Sequence, residues 1–176
     1  LPNGMRLIIH EQHNVALVAF DAWVRAGSAY ERPDEVGAAH FLEHMIFKGT
    51  AKRKPGEIDS AFEDAGAVLS AGTTRMAAHY FSTLASKDIE TALDALSDAM
   101  RNPELNSVEM DRERLVILDE LARSKNDPAK IVTDRLFDQL WNELSERRPV
   151  LGDEQGIRSL DRQHLMQFYI RNYQPE

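Results

Sequence analysis

Two imidazoles and a carboxylate fall within five residues, His40-Phe41-Leu42-Glu43-His44. On a helix, positions i and i+4 share a face, so His40 and His44 can reach one metal ion. Glu43 lies three residues after His40 and directly before His44, which brings its carboxylate near the same point. The order H-x-x-E-H inverts the more common H-E-x-x-H zinc-protease motif and is itself a zinc-enzyme signature. The chemistry such a set suits is metal-assisted hydrolysis: the imidazoles hold the ion and the carboxylate moves the proton of an attacking water.

The surroundings of the motif are apolar: Ala38, Ala39, Phe41, Leu42, Met45, Ile46 and Phe47. Such a stretch should be buried, and polar groups on a buried helix cost free energy unless they have partners. A metal satisfies all three groups together. An amphipathic helix that merely carries two His on one face leaves them without partners.

A catalytic zinc takes three protein ligands and keeps a fourth position for water. The chain has no Cys, so the third ligand must be His, Asp or Glu. The best candidates lie in the stretch Glu113 to Glu120. Leu115, Ile117, Leu118, Leu121 and Ala122 recur there at helical spacing. Glu113 and Glu120 stand two turns apart and share a face. The pattern alone is equally that of a solvated charged face, because Asp111, Arg112, Arg114 and Asp119 surround them.

The elements that position these residues follow from periodicity. Residues 5–10 and 15–24 read as strands joined near Asn14; in the second, Val18, Phe20, Ala22 and Val24 alternate with Ala19, Asp21 and Trp23. A helix over 37–47 carries the motif. Pro55 and Gly66 bracket a second helix in the favoured order. Residues 67–72 and 77–85 form a second strand pair. Helices follow over 88–101, 105–124, 128–143 and 161–172, with Asp127-Pro128 a cap and first-turn signal. Early strands and later helices predict an α+β fold with a mostly antiparallel sheet covered by helices.

Length and composition set bounds. A chain of 176 residues, 43% hydrophobic and 28% charged, suits one globular domain with a sizeable core. The net charge of −8 argues against nucleic acid, which needs a basic face, and is compatible with basic peptides. No apolar run approaches the roughly 18–20 residues of a membrane span. The sequence starts at Leu1 without a signal-peptide pattern. A cytoplasmic setting is expected, with periplasm and mitochondrial matrix as alternatives, since a Cys-free protein is indifferent to redox compartment.

Several ordered blocks resemble the pitrilysin/insulysin family of zinc metallopeptidases, in the style of its processing-peptidase branch. They are Leu1-Pro2-Asn3-Gly4 with Met5 to Ile9; Arg25 to Ser28 with Glu31; Gly37 and Ala39 to Thr50; Gly66 to Thr74 with Tyr80; Glu113 to Glu120; and Leu151-Gly152, Ser159-Leu160, Phe168, Tyr173 and Pro175. Glu120 follows His44 by 76 positions, a family-like spacing. The resemblance implies one Zn²⁺ per chain on His40, His44 and Glu120, Glu43 as general base, and Glu113 as a nearby carboxylate that orients a ligand or tunes the site. It also implies that the strand with Leu69, Ser70, Ala71 and Gly72 pairs with a peptide substrate's backbone. Ser70-Ala71 stands where the family commonly has Asn-Ala, which bears on substrate positioning. On the same ground the chain is expected to be one catalytic N-terminal domain over 1–176, C-terminally incomplete. A second homologous half-domain or subunit would complete it.

The expected function is therefore zinc-dependent endopeptidase activity on peptides or unfolded segments, an inverzincin hydrolase. A non-catalytic fragment or structural subunit that binds peptide or a partner half is the alternative. An S-ribosylhomocysteine lyase site also has H-x-x-E-H but needs a Cys ligand, which is absent here. His10 and His13 should face solvent, His79 should be structural, and His164 falls among polar residues. Trp23 and Trp141 are expected in a core or interface, and Lys52, Arg53 and Lys54 in a solvated loop.

Overall fold

A computed structural model describes residues 1–141 and 147–175. Its sheet has three antiparallel strands: β1 (Leu17–Val24), β2 (Ser70–Thr73) and β3 (Ala78–Ala85), in the order β1-β3-β2. Residue 17 pairs with 85 and residue 24 with 78, while Ser70 pairs with Phe81 and Thr73 with Ala78. The helices are α1 (Ala38–Ile46), α2 (Glu57–Glu63), α3 (Ile89–Arg101), α4 (Ser107–Ser124), α5 (Pro128–Leu140), α6 (Glu154–Ser159) and α7 (Arg162–Asn172). The α+β reading holds: helices cover one face of an antiparallel sheet.

Four local expectations need correction. Residues 5–10 form no strand. Strand geometry needs a neighbour for its N–H and C=O groups. Here the chain turns back instead, with the Leu1 amine on the Met5 carbonyl at 2.8 Å, and leaves Ile8 91% exposed. The second strand starts at Ser70 rather than 67, because Ala67 N–H closes the turn after α2 on the Phe62 carbonyl and Ser82 Oγ donates to the Val68 carbonyl. Arg53 is no solvated loop residue: it and Thr50 both donate to the buried carboxylate of Asp98. Helix α6 went unforeseen, though Asp153 caps it on Gly156 N–H at 2.8 Å. The expected helix over 128–143 ends at Leu140, and positions 142–143 lie outside the described residues.

The core is built around α1. Phe41, Leu42, Met45 and Ile46 are fully buried and pack with Ile117 of α4, Leu165 and Phe168 of α7, and Tyr80 of β3. Each such side chain contributes about 1.5–3 kcal/mol on leaving water. The helix starts tightly. Its N-cap, Gly37, has φ +91° and offers no side-chain cap. A Cβ added at Gly152 would lie 2.6 Å from the Gly37 Cα, so two glycines allow the backbones to meet there.

The open N–H groups of α1 are satisfied from a distance. Glu31 accepts from Gly37 N–H at 3.0 Å and from Ala39 N–H at 2.9 Å, one through each carboxylate oxygen. Neighbouring Glu35, also buried, is gripped by the Arg171 guanidinium of α7, one bond measuring 3.0 Å. Arg148 donates to the Glu31 carbonyl, and its own carbonyl accepts from Ser28 Oγ at 3.2 Å. This polar knot fixes where α1 begins.

Burial pushes the Glu31 carboxyl up to about 8, even though the Ala39 and Gly37 N–H groups and Arg148 act to lower it. A folded-state value above the ordinary 4.5 means that the folded chain keeps a proton the unfolded chain loses. This group's stabilisation is therefore full below about pH 4.5 and lost as the pH rises through about 8. Urea unfolding between pH 4.5 and 8.5 should show the stability difference between wild type and Glu31→Gln falling steadily as pH rises. A difference independent of pH would contradict it.

Candidate metal centre and active site

The polar residues of α1 recur at i, i+3 and i+4, leaving the rest of its surface to the core. His40, Glu43 and His44 thus form one stripe on an otherwise buried helix. Helix α4 runs alongside and presents Glu113 and Glu120 from one face. It is held at its start by Asn106, whose side chain accepts from Val108 and Glu109 N–H.

His40 Nε2 lies 3.6 Å from Glu120 Oε2, and His44 Nε2 lies 3.7 Å from the same oxygen. One ligand atom from each of the three residues falls within 4.8 Å of the others. Donor atoms on a tetrahedral zinc, at about 2.0–2.1 Å from it, stand roughly 3.3–3.4 Å apart. The two His–Glu separations are only slightly wider, so this N₂O set fits a small divalent ion.

The remaining atoms agree with that use. Burial, then His44 and Lys130, push His40 down to about 3, so its ring is neutral at neutral pH as a ligand must be. His44 turns Nδ1 to Glu113 Oε2 at 3.0 Å, which leaves Nε2 facing the other donors. Lys48 Nζ holds the other oxygen of Glu113 at 2.8 Å. Burial alone would raise Glu113, but the hydrogen bonds from Lys48 and His44 outweigh it and hold the carboxyl below its ordinary range. Glu113 is thus an ionised acceptor that sets the orientation of the His44 ring. Buried His40 Nδ1 has no hydrogen-bond partner among the described residues.

Glu43 stands beside this group without joining it. Thr73 Oγ1 of β2 donates to Glu43 Oε2. Burial raises the Glu43 carboxyl above its ordinary value; the Thr73 bond opposes the shift. The sequence offered no direct signal for Thr73, because only the fold carries β2 against α1.

His40, Glu43, Ala71, Gly72 and Thr73 line one open cleft of about 470 Å³. Strand β2 has β3 on one side only and is an edge of the sheet, as the substrate-strand reading requires. The pleat refines that reading. Ala71 and Thr73 face α1, whereas Ser70 and Gly72 pair with Phe81 and His79 on the opposite face. Leu69 precedes the strand and, like Ser70, does not line the cleft. The exchange of Asn for Ser70 therefore lies on the far side of the strand from Glu43.

The other His residues are elsewhere. His79 stacks between Trp23 and Phe81 at ring-centroid distances of 4.4 and 5.0 Å, and its Nδ1 meets Asp21 at 3.1 Å. His164 forms a capping box with Asp161 at the start of α7. His10 and His13 are exposed. Trp23 is 61% exposed on the outer sheet face and Trp141 is 46% exposed, so neither is a core residue. No described helix is long and apolar enough to cross a membrane.

Comparison with known proteins gives the family of the chain. The sequence matches the Insulinase (Peptidase family M16) family over residues 6–154. It is 35% identical over 173 residues, 98% of the chain, to the beta subunit of the mitochondrial-processing peptidase of Bos taurus, of which it spans 35%. It is 31% identical over 175 residues to an uncharacterized zinc protease of Streptomyces coelicolor, covering 99% of this chain and 38% of the relative. Among solved structures, a protease from Helicobacter pylori superposes with a TM-score of 0.85 at 26% identity, over 91% of this chain and 39% of that one. The chain spans well under half the length of these relatives. The inverted histidine motif and the glutamate two turns along α4 lie within the matched span, and the chain belongs to the insulinase family of peptidases, peptidase family M16.

Proposed function

We propose that this chain is the metal-bearing half of a zinc-dependent endopeptidase. The observation that carries the reading is the convergence of His40, His44 and Glu120, with Glu43 adjacent but outside that group. Relatives named zinc proteases support zinc as the ion. Zinc at such a site supplies Lewis acidity for a peptide carbonyl and brings the pKa of water toward neutrality.

The chain's own residues do the rest. Glu43 takes the proton of the attacking water and passes it to the leaving amine. Its raised pKa suits a group that must hold that proton between the two steps. Thr73 fixes one carboxylate oxygen and leaves the other for proton transfer. Glu113 keeps the His44 ring turned. A peptide laid along the free edge of β2 takes main-chain hydrogen bonds from Ala71 to Thr73, which accepts many sequences with little side-chain demand. The lengths of the relatives support a second half, fused or separate, that closes over this cleft.

Elemental analysis of protein purified without added metal should find about one zinc per chain, lost in Glu120→Gln. Full zinc content in that variant would remove Glu120 from the ligand set. Glu113→Gln should keep the fold and weaken zinc affinity by about 10–100-fold, read by competition with a chelating dye. Glu43→Gln in the full-length protein should retain zinc while peptide cleavage falls by about 10²–10⁴-fold. Undiminished cleavage would remove Glu43 as the base.

A further inference from the structure

Helix α5 contributes Lys130 to the lining of the cleft, beside His40 and Glu43. The helix is anchored by Arg75, which leaves the β2–β3 turn, donates to Asp134 Oδ1 at 2.7 Å and lies 3.8 Å from the centroid of the Phe137 ring. Asp134 is one turn beyond Lys130 and meets its Nζ at 3.3 Å through the other oxygen. One carboxylate therefore serves two cations. Arg75 is the deeper of the two, its side chain 14% exposed against 27% for Lys130. Among the described residues no other carboxylate lies within ion-pair distance of Lys130. Among the described residues two cations, Arg75 and Lys130, thus share one carboxylate on the α5 side of a cleft whose other charged lining residue is Glu43.

The position of that charge is informative. Lys130 acts electrostatically on His40, so it lies close to the reacting region rather than out on the rim. A lysine that served only as an i,i+4 partner could sit on the outer face of α5; Lys130 instead lines the cleft with its side chain 27% exposed. A peptide running along β2 passes Ala71, Gly72 and Thr73 with Lys130 lining the same space. A carboxylate on that peptide meets a cation whose existing partner is already shared.

We infer that Lys130 is a specificity-determining residue that selects peptides bearing an Asp or Glu side chain close to the scissile bond. The inference rests on the proposed peptidase reading and adds the substrate class. It concerns a side-chain carboxylate, because a strand laid on β2 continues past the metal site in both directions.

The test uses the full-length protein with its second half, in the zinc-loaded Glu43→Gln form. Fluorescent, C-terminally amidated peptides share one apolar sequence in which Glu, Gln or Lys is placed at each position in turn. Binding is read by anisotropy. At one position Glu should bind roughly 10-fold more tightly than Gln. Lys130→Met should bring that ratio to about 1, with zinc content and thermal unfolding matching the parent protein as the report of an intact fold. Lys130→Glu should turn the preference toward Lys. Equal binding of Glu and Gln peptides at every position, a Glu preference that survives Lys130→Met, or no peptide binding at all would overturn the inference. A preference seen only with a free C-terminus would reassign the site to a terminal carboxylate and equally overturn it. Cleavage by the protein with Glu43 intact separates the two readings. Cleavage without charge preference keeps the peptidase and discards Lys130, whereas charge-selective binding without cleavage does the reverse.

Discussion

Helix α1 has to be a core helix and the site helix together, and most of the structure follows from that double demand. Its apolar residues are sealed against α4, α7 and β3, so the helix can neither rotate nor slide without opening the core. The polar stripe His40-Glu43-His44 is thereby held at one azimuth. Rigidity of this kind is what a metal site requires, since ligand atoms displaced by a fraction of an ångström lose the coordination geometry. The apolar packing and the chemistry are two consequences of the same buried cylinder.

Axial position is governed separately. A helix lacking a side-chain N-cap of its own would fray at its first turn, and His40 lies in that turn. The Glu31 carboxylate prevents this by binding two of the open N–H groups, while Glu35 and Arg171 tie the same region to α7. The close meeting of Gly37 and Gly152 removes the remaining freedom. The preceding loop and two segments distant in sequence, around Gly152 and Arg171, thus fix the start of one nine-residue helix.

Around the site, carboxylates in similar surroundings take different roles because their neighbours differ. Glu113 is flanked by Lys48 and His44 and stays ionised. Glu43 has one hydroxyl donor and a largely dry environment, and its proton is held more firmly. Glu120 is the more exposed of the two α4 carboxylates, its side chain 33% exposed against 11% for Glu113. Orienting group, proton carrier and ligand are thus distinguished by what each side chain touches rather than by residue type.

The sequence by itself determined the helix with its i, i+4 histidines, the shared face of Glu113 and Glu120, the antiparallel pair formed by the second and third strands and the α+β class. All of these are periodic or local features, written within a few turns of chain. Resemblance to a family carried Glu120 from an even choice to a specific expectation. Only the tertiary structure decided that Glu113 faces Lys48 and His44 while Glu120 faces the histidines. A shared helix face does not say which neighbour each turn will meet. It likewise decided that Thr73 holds Glu43, that Ser70 points away from the site, and that Lys130 enters the cleft. Those contacts join residues 30 to 90 positions apart. The strand expected over 5–10 shows the converse: an apolar pattern specifies a tendency, but a strand exists only where another lies beside it.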